Sequence, residues 1–88
     1  MKAGLITGAS SGIGKELARI HASKGHNVLL VARRKEKLEE LSREINQQFG
    51  VACLTYAIDL SDKEAVKGLV DEIRKAGIQV NYLFNNAG

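Results

Sequence analysis

The sequence predicts an α/β fold, a doubly wound parallel sheet with strand order 3-2-1-4. Three observations carry this. Short apolar runs alternate with longer stretches whose apolar residues recur every three or four positions, so the elements read β-α-β-α-β-α-β. A glycine-rich turn joins the first run to the first periodic stretch, and no proline interrupts any element. Strands separated by helices run parallel, and right-handed crossovers then give the stated order, truncated after the fourth strand.

Ala3-Gly4-Leu5-Ile6-Thr7 reads as a short buried strand, and Ile13 to Lys24 carries apolar residues at helical spacing. Asn27 through Ala32 is the second strand, followed directly by Arg33-Arg34. Between Lys35 and Phe49, the residues Leu38, Leu41, Ile45 and Phe49 make one buried helical stripe. Val51 through Ile58 reads as the third strand and ends at Asp59-Leu60. The helix from Asp62 to Ala76 carries Val66, Leu69, Val70 and Ile73, and Ser61 with Glu64 three residues later predicts its capping box. Tyr82-Leu83-Phe84 reads as the fourth strand, running into Asn85-Asn86-Ala87-Gly88. Gly25, Gly50 and Gly77 each follow a predicted helix, where a left-handed residue ends it at little steric cost. No internal repeat, linker or low-complexity stretch is visible, so residues 1–88 form one domain.

A domain of this size buries a modest share of its surface, roughly 60–65%. The net charge of +3 is mild. Lys35, Glu36, Lys37, Glu39, Glu40, Arg43 and Glu44 read as a solvated, salt-bridged face. No basic patch is interleaved with aromatics, so nucleic acid is not an expected partner. Cys53, alone in a strand, reads as a buried apolar residue and cannot form an internal disulfide. The N-terminus lacks the apolar run of a signal peptide and nothing spans a membrane, which makes a reducing cytoplasm the expected compartment. His21 and His26 lie five residues apart, off a common helix face and without a Cys or acidic partner. They read as structural or exposed, and no metal is expected.

The richest segment is Thr7-Gly8-Ala9-Ser10-Ser11-Gly12-Ile13-Gly14. N–H groups at a helix start lack partners and the helix dipole favours negative charge there, so a glycine-rich turn at that point suits an anion. Gly8 lets the chain leave the strand sharply, and Gly12 lets backbone approach a phosphate without a Cβ in the way. Gly14 lets the helix pack closely on the sheet. A tight Gly/Ser connection with no ligand is the plain alternative. The pattern G-x-x-x-x-G-K-[ST] would need glycine at Ala9 and a hydroxyl at Glu16, where a carboxylate instead repels phosphates. The fingerprint G-x-G-x-x-G fails too, because the glycines fall at Gly8, Gly12 and Gly14.

The spacing T-G-x-x-x-G-x-G resembles that of the short-chain dehydrogenases/reductases of classical type. Two further motifs of that family fall in order: an acidic-apolar pair after the third strand, Asp59-Leu60, and N-N-A-G after the fourth, Asn85-Asn86-Ala87-Gly88. The resemblance covers all 88 residues, and three linked motifs are far more specific than one. It implies a Rossmann-like cofactor-binding half-domain of an oxidoreductase that transfers hydride between a nicotinamide cofactor and a carbonyl or alcohol. Cofactor contacts are thereby implied for Gly8, Ser10, Ser11, Gly12, Ile13, Gly14, Arg33, Arg34, Asp59, Leu60, Asn86, Ala87 and Gly88.

The resemblance also implies NADP(H) over NAD(H). Members that use NAD place an acidic residue at the end of the second strand, and the matching position here is Ala32. Arg33 follows it, and a guanidinium grips a phosphate with parallel charge-assisted bonds. An ordinary surface arginine is the alternative for Arg33, and Arg34 either adds to the positive field or starts the next helix. Asp59 is expected to accept the adenine amine while the Leu60 N–H donates to a ring nitrogen; the alternative is that Asp59 only begins the turn before the helix. The family's catalytic serine and Y-x-x-x-K pair have no match, since Leu60 follows Tyr56 and Asn86 follows Tyr82 at that spacing. No catalytic residue is therefore expected within these residues. Three classes stay open: part of an NADP-dependent oxidoreductase, a non-catalytic nucleotide-binding module, and an inert remnant. The fourth strand is expected at an open edge, inviting a complementary C-terminal fragment or self-association.

Overall fold

The seven elements follow the expected alternation: β1 (Lys2–Thr7), α1 (Gly12–Ser23), β2 (Asn27–Ala32), α2 (Lys35–Phe49), β3 (Cys53–Ala57), α3 (Lys63–Lys75) and β4 (Gln79–Asn85). They are seen in a computed structural model that describes residues 1–85. The sheet order is β3-β2-β1-β4 and every pairing is parallel. Most element ends lie within a residue of the sequence reading, and three larger differences have a physical cause. β3 is shorter than its apolar run because the Asn27 side chain takes over at its start: Asn27 Oδ1 accepts the Ala52 N–H at 3.0 Å while Nδ2 donates to the Lys2 carbonyl at 3.1 Å. β4 is longer than Tyr82-Leu83-Phe84, since Gln79, Val80 and Asn85 also pair with β1 and Asn81 is the residue passed over at the irregularity between them. A register shift between Ala3 and Gly4 sets Tyr82 opposite Gly4 and Leu83 opposite Leu5.

The third difference corrects a cap. α3 is capped by Asp62, whose carboxylate accepts the Glu64 and Ala65 N–H groups at 3.0 and 3.3 Å. Ser61 does not form the expected capping box, because its hydroxyl donates to Asp59 at 2.7 Å. A carboxylate one position nearer the helix is the stronger acceptor for those N–H groups. Gly25, Gly50 and Gly77 adopt φ of 84°, 67° and 69° at the three helix ends, as expected.

Alternation along the strands divides the core into two faces. On one, Ile6, Val28, Leu30 and Ala32 pack with Ala18 and Ala22 of α1 and with Leu38, Leu41 and Ile45 of α2, all buried. Arg19 ties the two helices together through Glu44 at 2.6 and 3.1 Å. Cys53 joins this core as expected. The reversal of strand order after β3 sends α3 to the other face by the same right-handed rule. There Leu29 and Val31 are fully buried and Leu69 nearly so, while Leu54 and Leu83 remain 39% and 64% exposed. No helix among the described residues is long and apolar enough to cross a membrane.

Candidate functional site

The carboxyl ends of β1, β2 and β3 open into one cleft of about 360 Å³. Gly8, Ser10 and Ser11 line its first wall, Ala32, Arg33 and Arg34 its second, and Ile58 through Ser61 its third. Ligands of open α/β sheets bind at such carboxyl-end crevices. Of the sequence-expected residues, Gly8, Ser10, Ser11, Arg33, Arg34, Asp59 and Leu60 therefore meet in space, while Gly12, Ile13 and Gly14 follow Ser11 at the start of α1 and do not line the cleft. Asn86, Ala87 and Gly88 lie outside the described residues.

The first wall starts at Gly8, whose φ of 64° turns the chain off β1. Ala9 N–H then donates to the Val31 carbonyl at 3.2 Å, pinning the turn to β2. Ser11 donates its hydroxyl to the Gly8 carbonyl at 2.9 Å and so gives α1 no side-chain cap. The N–H groups of Gly12, Ile13 and Gly14 take no hydrogen bond among the described residues, and the first turn of α1 holds no acidic residue. A Cβ on Gly12 would meet no described residue within 4 Å, so nothing among the described residues requires glycine there. A Cβ on Gly14 would press on the Gly8 carbonyl and stand 2.9 Å from Ala9 Cα. Gly14 thus serves close packing on the turn itself rather than on the sheet.

The second wall is set by Ala32, which is buried and brings no charge to the end of β2. Arg33 and Arg34 are exposed at the cleft, and Arg34 is also the N-cap residue of α2 without a side-chain cap bond. The third wall centres on Asp59. Its Oδ1 accepts the Ser61 N–H at 2.9 Å and the Ser61 hydroxyl at 2.7 Å. These bonds, and more weakly the charge of Arg33, hold its carboxyl below the usual carboxylate range. Asp59 does begin the turn toward α3, and it also lines the cleft. Ile58 was not singled out in the sequence; its N–H donates to the Ala32 carbonyl at 3.0 Å and joins the second and third walls. Ser61 was missed as well, although the spacing Asp-x-Ser signals a local side-chain turn.

The histidines lie elsewhere. His21 is buried, His26 exposed, and their rings stack at 4.6 Å because the chain turns back at Gly25. No group of three or more His, Cys, Asp or Glu among the described residues could hold a metal. Chemically, the start of α1 beside the cleft offers an anion N–H donors that no described residue takes up, and the cleft itself offers two guanidinium groups for a second anion and a carboxylate for an amine.

A family profile described as short chain dehydrogenase matches residues 2–88. Fatty acyl-CoA reductase of Acinetobacter baylyi is 47% identical over 87 residues, covering 99% of this chain and 29% of that protein. L-sorbose reductase from Gluconobacter frateurii, solved with NADPH and L-sorbose, superposes with a TM-score of 0.92 at 39% identity. That match covers 99% of this chain and 33% of the reductase. An NAD+-bound xylitol dehydrogenase superposes with a TM-score of 0.89 at 36% identity, covering 99% of this chain and 33% of that one. The chain spans about a third of the length of these proteins.

Proposed function

This chain belongs to the short-chain dehydrogenase family, and we propose that it binds NADP(H) in preference to NAD(H) as the cofactor portion of a carbonyl or alcohol oxidoreductase. The observation that carries the preference is the end of β2: buried Ala32 brings no acid, and Arg33 stands exposed over the cleft. An acidic side chain there would accept ribose hydroxyls and repel a 2′-phosphate. A guanidinium attracts that phosphate and grips it through two bonds. The open space at Gly12 and the unpaired N–H groups of Gly12, Ile13 and Gly14 fit a pyrophosphate. Ser10 and Ser11 border it, Arg34 adds positive field, and Asp59 with Leu60 takes the adenine. Asn86, Ala87 and Gly88 complete the contacts.

When bound, the nicotinamide would supply or accept the hydride. The residues of this chain bind and orient; none has the serine or the tyrosine-lysine pair needed to move a proton to a carbonyl. Residues 1–88 thus supply the cofactor side of such a reaction, and a non-catalytic nucleotide-binding module is the second reading. A complementary C-terminal fragment, or a second copy at the exposed edge of β4, is the partner proposed. A reducing cytoplasm suits both readings.

Calorimetry of both cofactors against the wild type and Arg33→Ala tests the preference. NADP should bind at least about tenfold more tightly than NAD, and Arg33→Ala should remove most of that margin. Equal wild-type affinities would overturn it. Turnover with NADPH and a carbonyl panel then separates enzyme from module.

A further inference from the structure

We propose that Ser61 is a positioning residue for adenine: it holds one oxygen of Asp59 so that the other is presented to the exocyclic amine. This rests on the reading of the cleft as a dinucleotide site. Asp59 is an exposed side chain at the end of a strand, and a carboxylate left alone there would sample several rotamers. Ser61 removes that freedom. Its N–H and hydroxyl both bond Oδ1, and no described residue donates to Oδ2. The same bonds favour the ionised carboxylate, which accepts from an amine and repels a carbonyl oxygen.

A purely structural role for the Ser61 hydroxyl is already filled by other groups. Asp62 caps α3 with its own carboxylate, and the Asp62 N–H donates to the Asp59 carbonyl at 3.0 Å, closing the turn through backbone alone. The hydroxyl is left to fix the orientation of a group that lines the cleft.

The test compares NADP with its hypoxanthine analogue, in which a carbonyl replaces the exocyclic amine. The full chain and its Ser61→Ala, Ser61→Thr and Ser61→Val variants are titrated with both nucleotides and melted. The wild type should prefer NADP, and Ser61→Ala should shrink the preference about fivefold, the worth of one ordinary hydrogen bond. Ser61→Thr should restore it. Should Ser61→Ala fail to fold, the isosteric pair carries the comparison, with threonine keeping the preference and valine losing it. Equal weakening of both nucleotides, or a lowered melting temperature with the preference intact, overturns the proposal in favour of a turn role. A wild type that binds NADP without preferring it overturns the proposal and leaves the cleft reading standing. A wild type that binds neither nucleotide overturns that reading itself.

Discussion

The two faces of this sheet are covered to different degrees. Against α1 and α2, Ile6, Val28, Leu30, Leu38 and Ile45 lose all exposure. Against α3, only the central Leu29 and Val31 do, while the flanking Leu54 and Leu83 keep 39% and 64%. Two helices contribute buried side chains to one face, whereas α3, on the other, buries only Leu69 of its own residues. The cleft spans this difference: its anion-facing turn and Arg33 stand on the well-packed side, whereas Asp59 and Ser61 belong to the connection into α3. Burial of an apolar side chain is worth about 1.5–3 kcal/mol, so most of the apolar stabilisation lies in β1-α1-β2-α2.

The largest effect expected tests that distribution directly. Leu30→Ala should cost about 2–5 kcal/mol, since both the transfer energy and an unfilled cavity count against it. Leu83→Ala should stay within about 0.5 kcal/mol, as for an exposed position. Urea denaturation of both variants decides. Comparable losses would mean that the face under α3 is closed by something other than α3, such as a second copy on β4.

The same contrast governs what the sequence disclosed. α2 was legible because Leu38, Leu41 and Ile45 sit on an uninterrupted 3.6-residue period and all three are buried. The α3 stripe had the same period, yet only Leu69 is buried and Val70 is 46% exposed. Periodicity reports which side chains share a face, not what covers it. In β4 the polar Gln79 and the unpaired Asn81 hid the start of a strand that pairing of Gln79 and Val80 with β1 sustains. At the site, motif spacing located the glycine turn, Arg33 and Asp59. The bond from Ser61 to Asp59 stayed hidden because Asp62 also competes for the start of α3, and sequence alone does not decide between two adjacent cap formers. His21 and His26 were beyond reach of helix geometry, since their contact forms after the helix has ended.

A smaller effect sharpens the comparison at α3. Asp62→Ala removes the acceptor of the Glu64 and Ala65 N–H groups and should cost about 1 kcal/mol. Because α3 is the single cover of its face, amide exchange should accelerate through α3 while α2 stays protected. Uniform acceleration in both helices would show that the two faces open together.

The smallest effect is proton-linked and vanishes at neutral pH. His21 lies under Gly4, so closely that a Cβ there would come 2.5 Å from its Nε2. His26 stacks on it, and Tyr82 and Phe84 of β4 meet its ring edge-on at 5.1 and 5.6 Å. The buried Nε2 has no hydrogen-bond partner among the described residues. Burial, then the charges of His26 and Lys24, push the His21 imidazole below its usual 6.5. Above that pH the ring is neutral in both folded and unfolded chains and contributes no slope. As pH falls below 6.5, the unfolded chain takes up the proton first, so stability declines until the folded-state value is passed and then levels off. His21→Phe keeps an aromatic ring in the stack and removes the proton. Melting curves between about pH 8 and 5 should therefore slope less in the variant than in the wild type. Identical slopes would mean that the ring already finds a proton acceptor on the β4 side, and that this edge of the well-packed face is wetter than its burial indicates.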